Sequence, residues 1–139
     1  MRSVGIALLM IVTVQPAAWA QAPVPELQFE SVPDPLQLPN DIHFGEVAGV
    51  AVNSKGHVFV FSRGNVTGPA YMATAAQLLE FDATGKFVRE IGKNLYAWSY
   101  AHAVRVDKED NIWVVDKGSD MIVKFNPAGR VVWVFGRKG

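Results

Sequence analysis

Short runs of alternating apolar and polar residues, each pair split by a polar turn, fill this chain from Glu46 onward. Around the first turn, Ser54-Lys55-Gly56, lie Gly49–Val52 and Val58–Phe61. Around Ala83-Thr84-Gly85 lie Leu78–Phe81 and Phe87–Ile91. Ala103–Val106 and Ile112–Val115 flank the acidic turn Asp107–Asn111, and Ile122–Phe125 and Val131–Phe135 flank Pro127-Ala128-Gly129. Period-two alternation between turn-forming clusters is the mark of β-hairpins. Eight strands are therefore expected. Helical spacing is nearly missing, with at most one turn over Ala70–Leu79.

The pattern also repeats. Gly49–Gly64 lies over Ala103–Gly118, with Val50 on Val104 and Gly64 on Gly118, an offset of 54. Leu78–Gly92 lies over Ile122–Gly136 at an offset of 44. The difference is an insertion over residues 65–74. Each unit holds two hairpins, so the repeating object is a four-stranded sheet. Repeats of roughly 40 to 50 residues with four strands each are the signature of β-propeller blades. The expected fold is all-β, an NHL-type β-propeller of which this chain holds about two blades, over residues 47–92 and 93–139. A small sandwich of the same eight strands is the alternative. Two blades do not close a ring of four to eight. The chain thus reads as the front part of a longer protein, and its open blade edges are expected sites of self-association.

Ahead of the repeats, residues 21–46 carry Pro23, Pro25, Pro33, Pro35 and Pro39. Proline at that density breaks helices and long strands, so an extended arm is expected, with one short strand near Leu27–Phe29. Residues 1–20 read as a signal peptide: Arg2, an apolar run over Val4–Val14, and Ala18-Trp19-Ala20 before the cut. The mature chain is then exported, periplasmic or extracellular, and free of the membrane.

Composition narrows the chemistry. Thirteen basic and thirteen acidic residues give no net charge, and no basic run tracks a nucleic-acid backbone. Cysteine is absent, so any metal must take imidazole, carboxylate or carbonyl ligands. His102, at the start of a predicted inner strand, is the most chemically loaded position. His57 is read as an exposed turn residue, and His43 belongs to the arm. Asp107 and Asp116 are read as caps of turns and strand ends. Trp98, Trp113, Trp133 and Phe125 are read as packing residues, with Trp98 and Tyr100 also candidates to line a pocket beside His102. Tyr71, in the insertion, is a candidate to reach over a channel mouth.

Two stretches carry a family resemblance: Val47–Gly64, ending Phe-Ser-Arg-Gly, and Gly92-Lys-Asn-Leu-Tyr96 with Ala101–Asp107 and Asn111–Asp116. Over about residues 46–139 the chain resembles the bacterial relatives of peptidyl-α-hydroxyglycine α-amidating lyase, a six-bladed NHL-type propeller. The resemblance implies cleavage of a C-terminal α-hydroxyglycine to a peptide amide and glyoxylate, with a small peptide-like substrate. It implies a catalytic zinc held by three histidines, and a structural calcium. By position, Arg63 corresponds to the active-site arginine and His102 to the first zinc histidine. The backbone carbonyls of Val50 and Val104 correspond to calcium ligands. The family's other zinc histidines, its tyrosine and its calcium carboxylate have no counterpart in this sequence. A non-catalytic NHL-type binding or assembly module is the alternative function.

Overall fold

The structure is a computed structural model and describes residues 24–64 and 76–137. The signal peptide read over 1–20, the insertion and its Tyr71 lie outside these residues. Eight strands form: β1 (Val47–Val52), β2 (Val58–Ser62), β3 (Gln77–Phe81), β4 (Phe87–Ile91), β5 (Ala101–Val106), β6 (Ile112–Asp116), β7 (Met121–Phe125) and β8 (Val131–Phe135). They make two four-stranded antiparallel sheets, ordered β1-β2-β3-β4 and β5-β6-β7-β8. Every strand pairs only with its neighbours in the chain, as in successive propeller blades. These residues form no closed ring.

One local expectation fails, and another lies mostly outside the described residues. Residues 24–31 belong to a unit separate from Val32–Gly139; they are exposed and irregular, and the strand near Leu27–Phe29 is not formed. Pro25 and Pro33 bracket that segment, and prolines remove ladder donors. Of the helical turn read over Ala70–Leu79, residues 70–75 lie outside the described residues, and from Gln77 the chain is strand β3.

All four hairpin turns share one construction. An Asx residue opens each: Asn53, Asp82, Asp107 or Asn126. Its side-chain oxygen accepts the backbone N–H four residues on, at 2.9–3.0 Å, from His57, Lys86, Asn111 and Arg130. Three residues after the Asx, the backbone turns left-handed, at Gly56, Gly85, Asp110 and Gly129. Asp110 is the exception in residue type, and it carries φ of 61° without glycine's freedom. Its carboxylate accepts from Ser54 N–H (2.9 Å) and Ser54 Oγ (2.6 Å) in the other sheet, which fixes the two turns together.

Three of these turn carboxylates have pKa values below the usual range. Asp107 is lowered most, by the Trp113 indole N–H and then by Asn111 and backbone N–H groups. Asp82 is lowered chiefly by the Thr84 hydroxyl and Asp110 chiefly by the Ser54 hydroxyl. A depressed folded pKa stabilises the fold above the unfolded value, near pH 4, and that stability is lost as pH falls through the folded pKa. Stability should therefore decline with acid below about pH 4. Asp107→Asn should flatten that decline by about one proton's worth of slope, read from urea midpoints against pH.

The sheets share one core. Phe59, Phe61, Leu78 and Ile91 on one face of β1–β4 pack against Val104, Ile112, Val114 and Phe125 of β5–β8. β1 and β5 lie side by side at one edge of that contact. The opposite face of β1–β4 is covered from the arm. Leu36, Leu38, Ile42 and Phe44 pack against Val60, Leu79 and Phe81. Gln37 also bridges Lys86 in parallel, and Gln37 N–H donates to Gly85 O at 2.7 Å. So residues 36–44 do for the first sheet what residues 92–98 do for the second.

Candidate functional site

Arg63 reaches the residue before His102, where the end of β2 approaches the start of β5. Arg63 follows β2 directly, and its N–H donates to Glu46 O at 2.8 Å. Its side chain is only 14% exposed. Nε donates to the Ala101 carbonyl at 2.8 Å, one residue before His102. The guanidinium also pairs with the Glu46 carboxylate and stacks 4.1 Å from the centroid of the Tyr100 ring. Arg63 thus ties the two sheets together at the inner strand.

His102 sits on a β-bulge. The β5–β6 register steps from Ala101↔Asp116 to Ala103↔Val115, which leaves His102 opposite nothing. Bulges re-aim side chains and disrupt the ladder locally. The His102 side chain is exposed, with no hydrogen-bond or ion-pair partner among the described residues. The bulge belongs to the repeat, because β1 makes the same step between Val47↔Ser62 and Gly49↔Phe61, with Ala48 in the matching place. Histidine is thus a side chain added to an existing backbone feature.

Asp116 holds the segment before β5 in place. It is 1% exposed, and its carboxylate accepts from the N–H groups of Ser99 (2.9 Å), Tyr100 (2.9 Å) and Ser119 (3.0 Å). The cap role expected of it is met. In the first sheet Ser62 stands in its place, and its Oγ accepts from Gly45 and Gly64 N–H, each at 3.2 Å. Asp107 also caps its turn as expected.

Other expectations change. Trp98 does not line a pocket beside His102. It is fully buried between Phe61 (centroids 5.0 Å apart) and Phe125 (5.9 Å). His57 is not a free turn residue: its Nδ1 lies 2.8 Å from Glu80 Oε1, and the ring is half-buried. Glu80 also accepts from Arg89 Nε at 2.6 Å, and Arg89 reaches the Pro127 and Ala128 carbonyls, both at 2.8 Å. Sequence reading missed this inter-sheet clasp and the Glu46–Arg63–Tyr100 cluster. The repeat carried a signal for the cluster, since Glu46 and Tyr100 are equivalent positions, as are Arg63 and Lys117.

For a metal, the donor set is short. No group of three His, Asp or Glu among the described residues is arranged to hold an ion. His102 supplies one imidazole, where a catalytic zinc takes three protein ligands. The Val104 carbonyl already accepts from Arg105 Nη1 at 2.7 Å. Calcium needs six to eight oxygens, and a guanidinium on one of two candidate carbonyls does not fit it. No chemical step can be assigned to either ion from these residues.

No protein-family model matches the chain. A curated relative, peptidyl-alpha-hydroxyglycine alpha-amidating lyase 1 of Drosophila melanogaster, is 30% identical over 107 residues. The match covers 65% of this chain and 19% of the relative, so the chain spans about a fifth of that protein's length. This is a distant relationship. Among solved structures, a protein of unknown function from Bacteroides caccae overlaps 68% of this chain and 47% of its own at 10% identity, with a TM-score of 0.33. No helix among the described residues is long and apolar enough to cross a membrane.

Proposed function

We propose that this chain is an exported, propeller-type relative of the amidating lyases, carrying two blades and part of one channel-side site. In this reading His102 is one metal ligand position and Arg63 orders the backbone beside it. The observation that supports it is that Arg63 anchors the Ala101 carbonyl, one residue before the inner-strand bulge that carries His102. Arg63 acts through Ala101 rather than on a substrate carboxylate, because its guanidinium is already engaged by Glu46, Tyr100 and the Ala101 carbonyl. Calcium stays outside the reading while Arg105 occupies Val104 O.

A second reading has its own support. One imidazole, an engaged arginine and a capped carbonyl suit a non-catalytic NHL-type module as well as a partial enzyme.

Zinc titration followed through the three histidine rings by NMR separates them. Under the first reading zinc shifts the His102 signals first, since His57 is tied to Glu80, and His102→Ala removes that response. The chain alone releases no glyoxylate from an α-hydroxyglycine peptide, because the ligand set is incomplete. Zinc that shows no preference for His102 leaves the module reading.

A further inference from the structure

We propose that the open face of β5–β8 docks head to tail on the inner part of β1–β4 of a second copy of this chain. The contact between the two sheets within the chain serves as its template. There Phe59, Phe61, Leu78 and Ile91 are all within 2% of full burial. Their repeat counterparts on β5–β8 are Trp113, Val115, Ile122 and Phe135, and on this face Trp133 and Phe135 are 44% and 63% exposed. Trp113, Trp133 and Phe135 form a row, with centroids 5.5 and 6.1 Å apart.

The complementary surface is open too. Val104 is buried against the first sheet, whereas its counterpart Val50 is 53% exposed and Val52 is 56% exposed. Phe44 is the counterpart of Trp98. Phe44 lies 5.9 Å from Phe81, as Trp98 lies 5.9 Å from Phe125. Trp98 also covers Phe61 of the neighbouring sheet. Docking would seat Phe44 over Val115 of the other copy in the same way.

Charge favours this pairing. Arg63 stacks on Tyr100 inside the chain. Their counterparts are Lys117 and Glu46, both exposed; Glu46 pairs with Arg63 of its own copy through Oε1, and the head-to-tail contact brings Lys117 to the same carboxylate with opposite sign. A twofold contact of the aromatic face with itself would instead bring together two faces that each carry Arg105 and offer it no free carboxylate, since Asp107 is paired with Lys124 at 3.4 Å. It would also leave Val50 and Val52 uncovered. Two polar ties of the internal contact are lost, because Gly56 replaces Asp110 and Trp133 replaces Arg89. The association is therefore weaker than the contact within the chain, on the order of micromolar. A contact of this kind is heterologous and closes into a ring only if its rotation permits. Copies that carry these two sheets and no others would close a ring of four to eight blades with two to four members.

The proposal rests on the two sheets and is independent of the zinc reading. Sedimentation of the chain from about 1 to 100 μM should show a discrete assembly of two to four copies. Phe135→Glu and Val50→Glu should each give monomers with retained β circular dichroism. Mixed in equal amounts, they should form a one-to-one dimer and stop there, since each keeps one competent face. Trp133→Glu repeats the test should Phe135→Glu unfold. A wild-type monomer throughout this range overturns the proposal. A Val50→Glu variant that still self-associates overturns it in favour of the twofold contact.

Discussion

Trp98→Ala should destabilise the chain by about 3–5 kcal/mol, the usual range for removing a large aromatic from a core. Trp98 is fully buried and touches aromatic rings of both sheets. A Cβ on Gly92 would lie 3.2 Å from its ring, so the chain passes too closely for the gap to collapse without rearrangement. The indole N–H has no hydrogen-bond partner among the described residues, and an unsatisfied buried donor costs about 1–3 kcal/mol. Trp98→Phe removes that donor while keeping most of the ring contact. It should therefore cost clearly less than the alanine variant. Urea midpoints with an unchanged m-value measure both. An alanine variant within about 1 kcal/mol of wild type would mean that the sheets do not share a core at this residue.

Asp116→Ala should be nearly as damaging. It strands three N–H groups, those of Ser99, Tyr100 and Ser119, in buried or half-buried surroundings. At about 1–3 kcal/mol for each unsatisfied donor, a loss of roughly 3 kcal/mol or more is expected. Asp116→Asn keeps one acceptor oxygen and should fall in between. Ser62→Ala, the same change in the other repeat, removes a neutral acceptor with two longer bonds and should cost less. Amide exchange locates the effect: Ser99, Tyr100 and Ser119 should lose protection before the β6–β7 ladder does. Uniform loss of protection across both sheets would refute the local account.

Alternation made the strands legible, and the offset repeat made their grouping legible. Val47–Val52 and Ala101–Val106 read as equivalent from their sequences, and both form bulged inner strands. Turn chemistry was legible because Asx and Gly fall at fixed spacing, with Asp110 as the one concealed case. Side-chain pairing across the sheets was not legible. Nothing local in Arg89 announces carbonyls 38 and 39 residues away, or in His57 a carboxylate 23 residues away. Trp98 was readable as apolar and large. Only its placement between Phe61 and Phe125 decides that it belongs to the core and not to a pocket beside His102. The strand expected near Leu27–Phe29 failed because three favourable residues cannot pair when prolines flank them.

The pairing of each strand with its chain neighbours has a consequence for how the protein comes into being. The four hairpins closed by short turns form within about 1–10 μs, so no slow search for a distant partner limits them. Synthesis runs at about 5–20 residues per second, so β1–β4 can be complete a few seconds before β5–β8 has left the ribosome. During that interval Phe59, Phe61, Leu78 and Ile91 face water on a finished sheet. The nascent chain is most exposed to misassembly then, with the first sheet already in place.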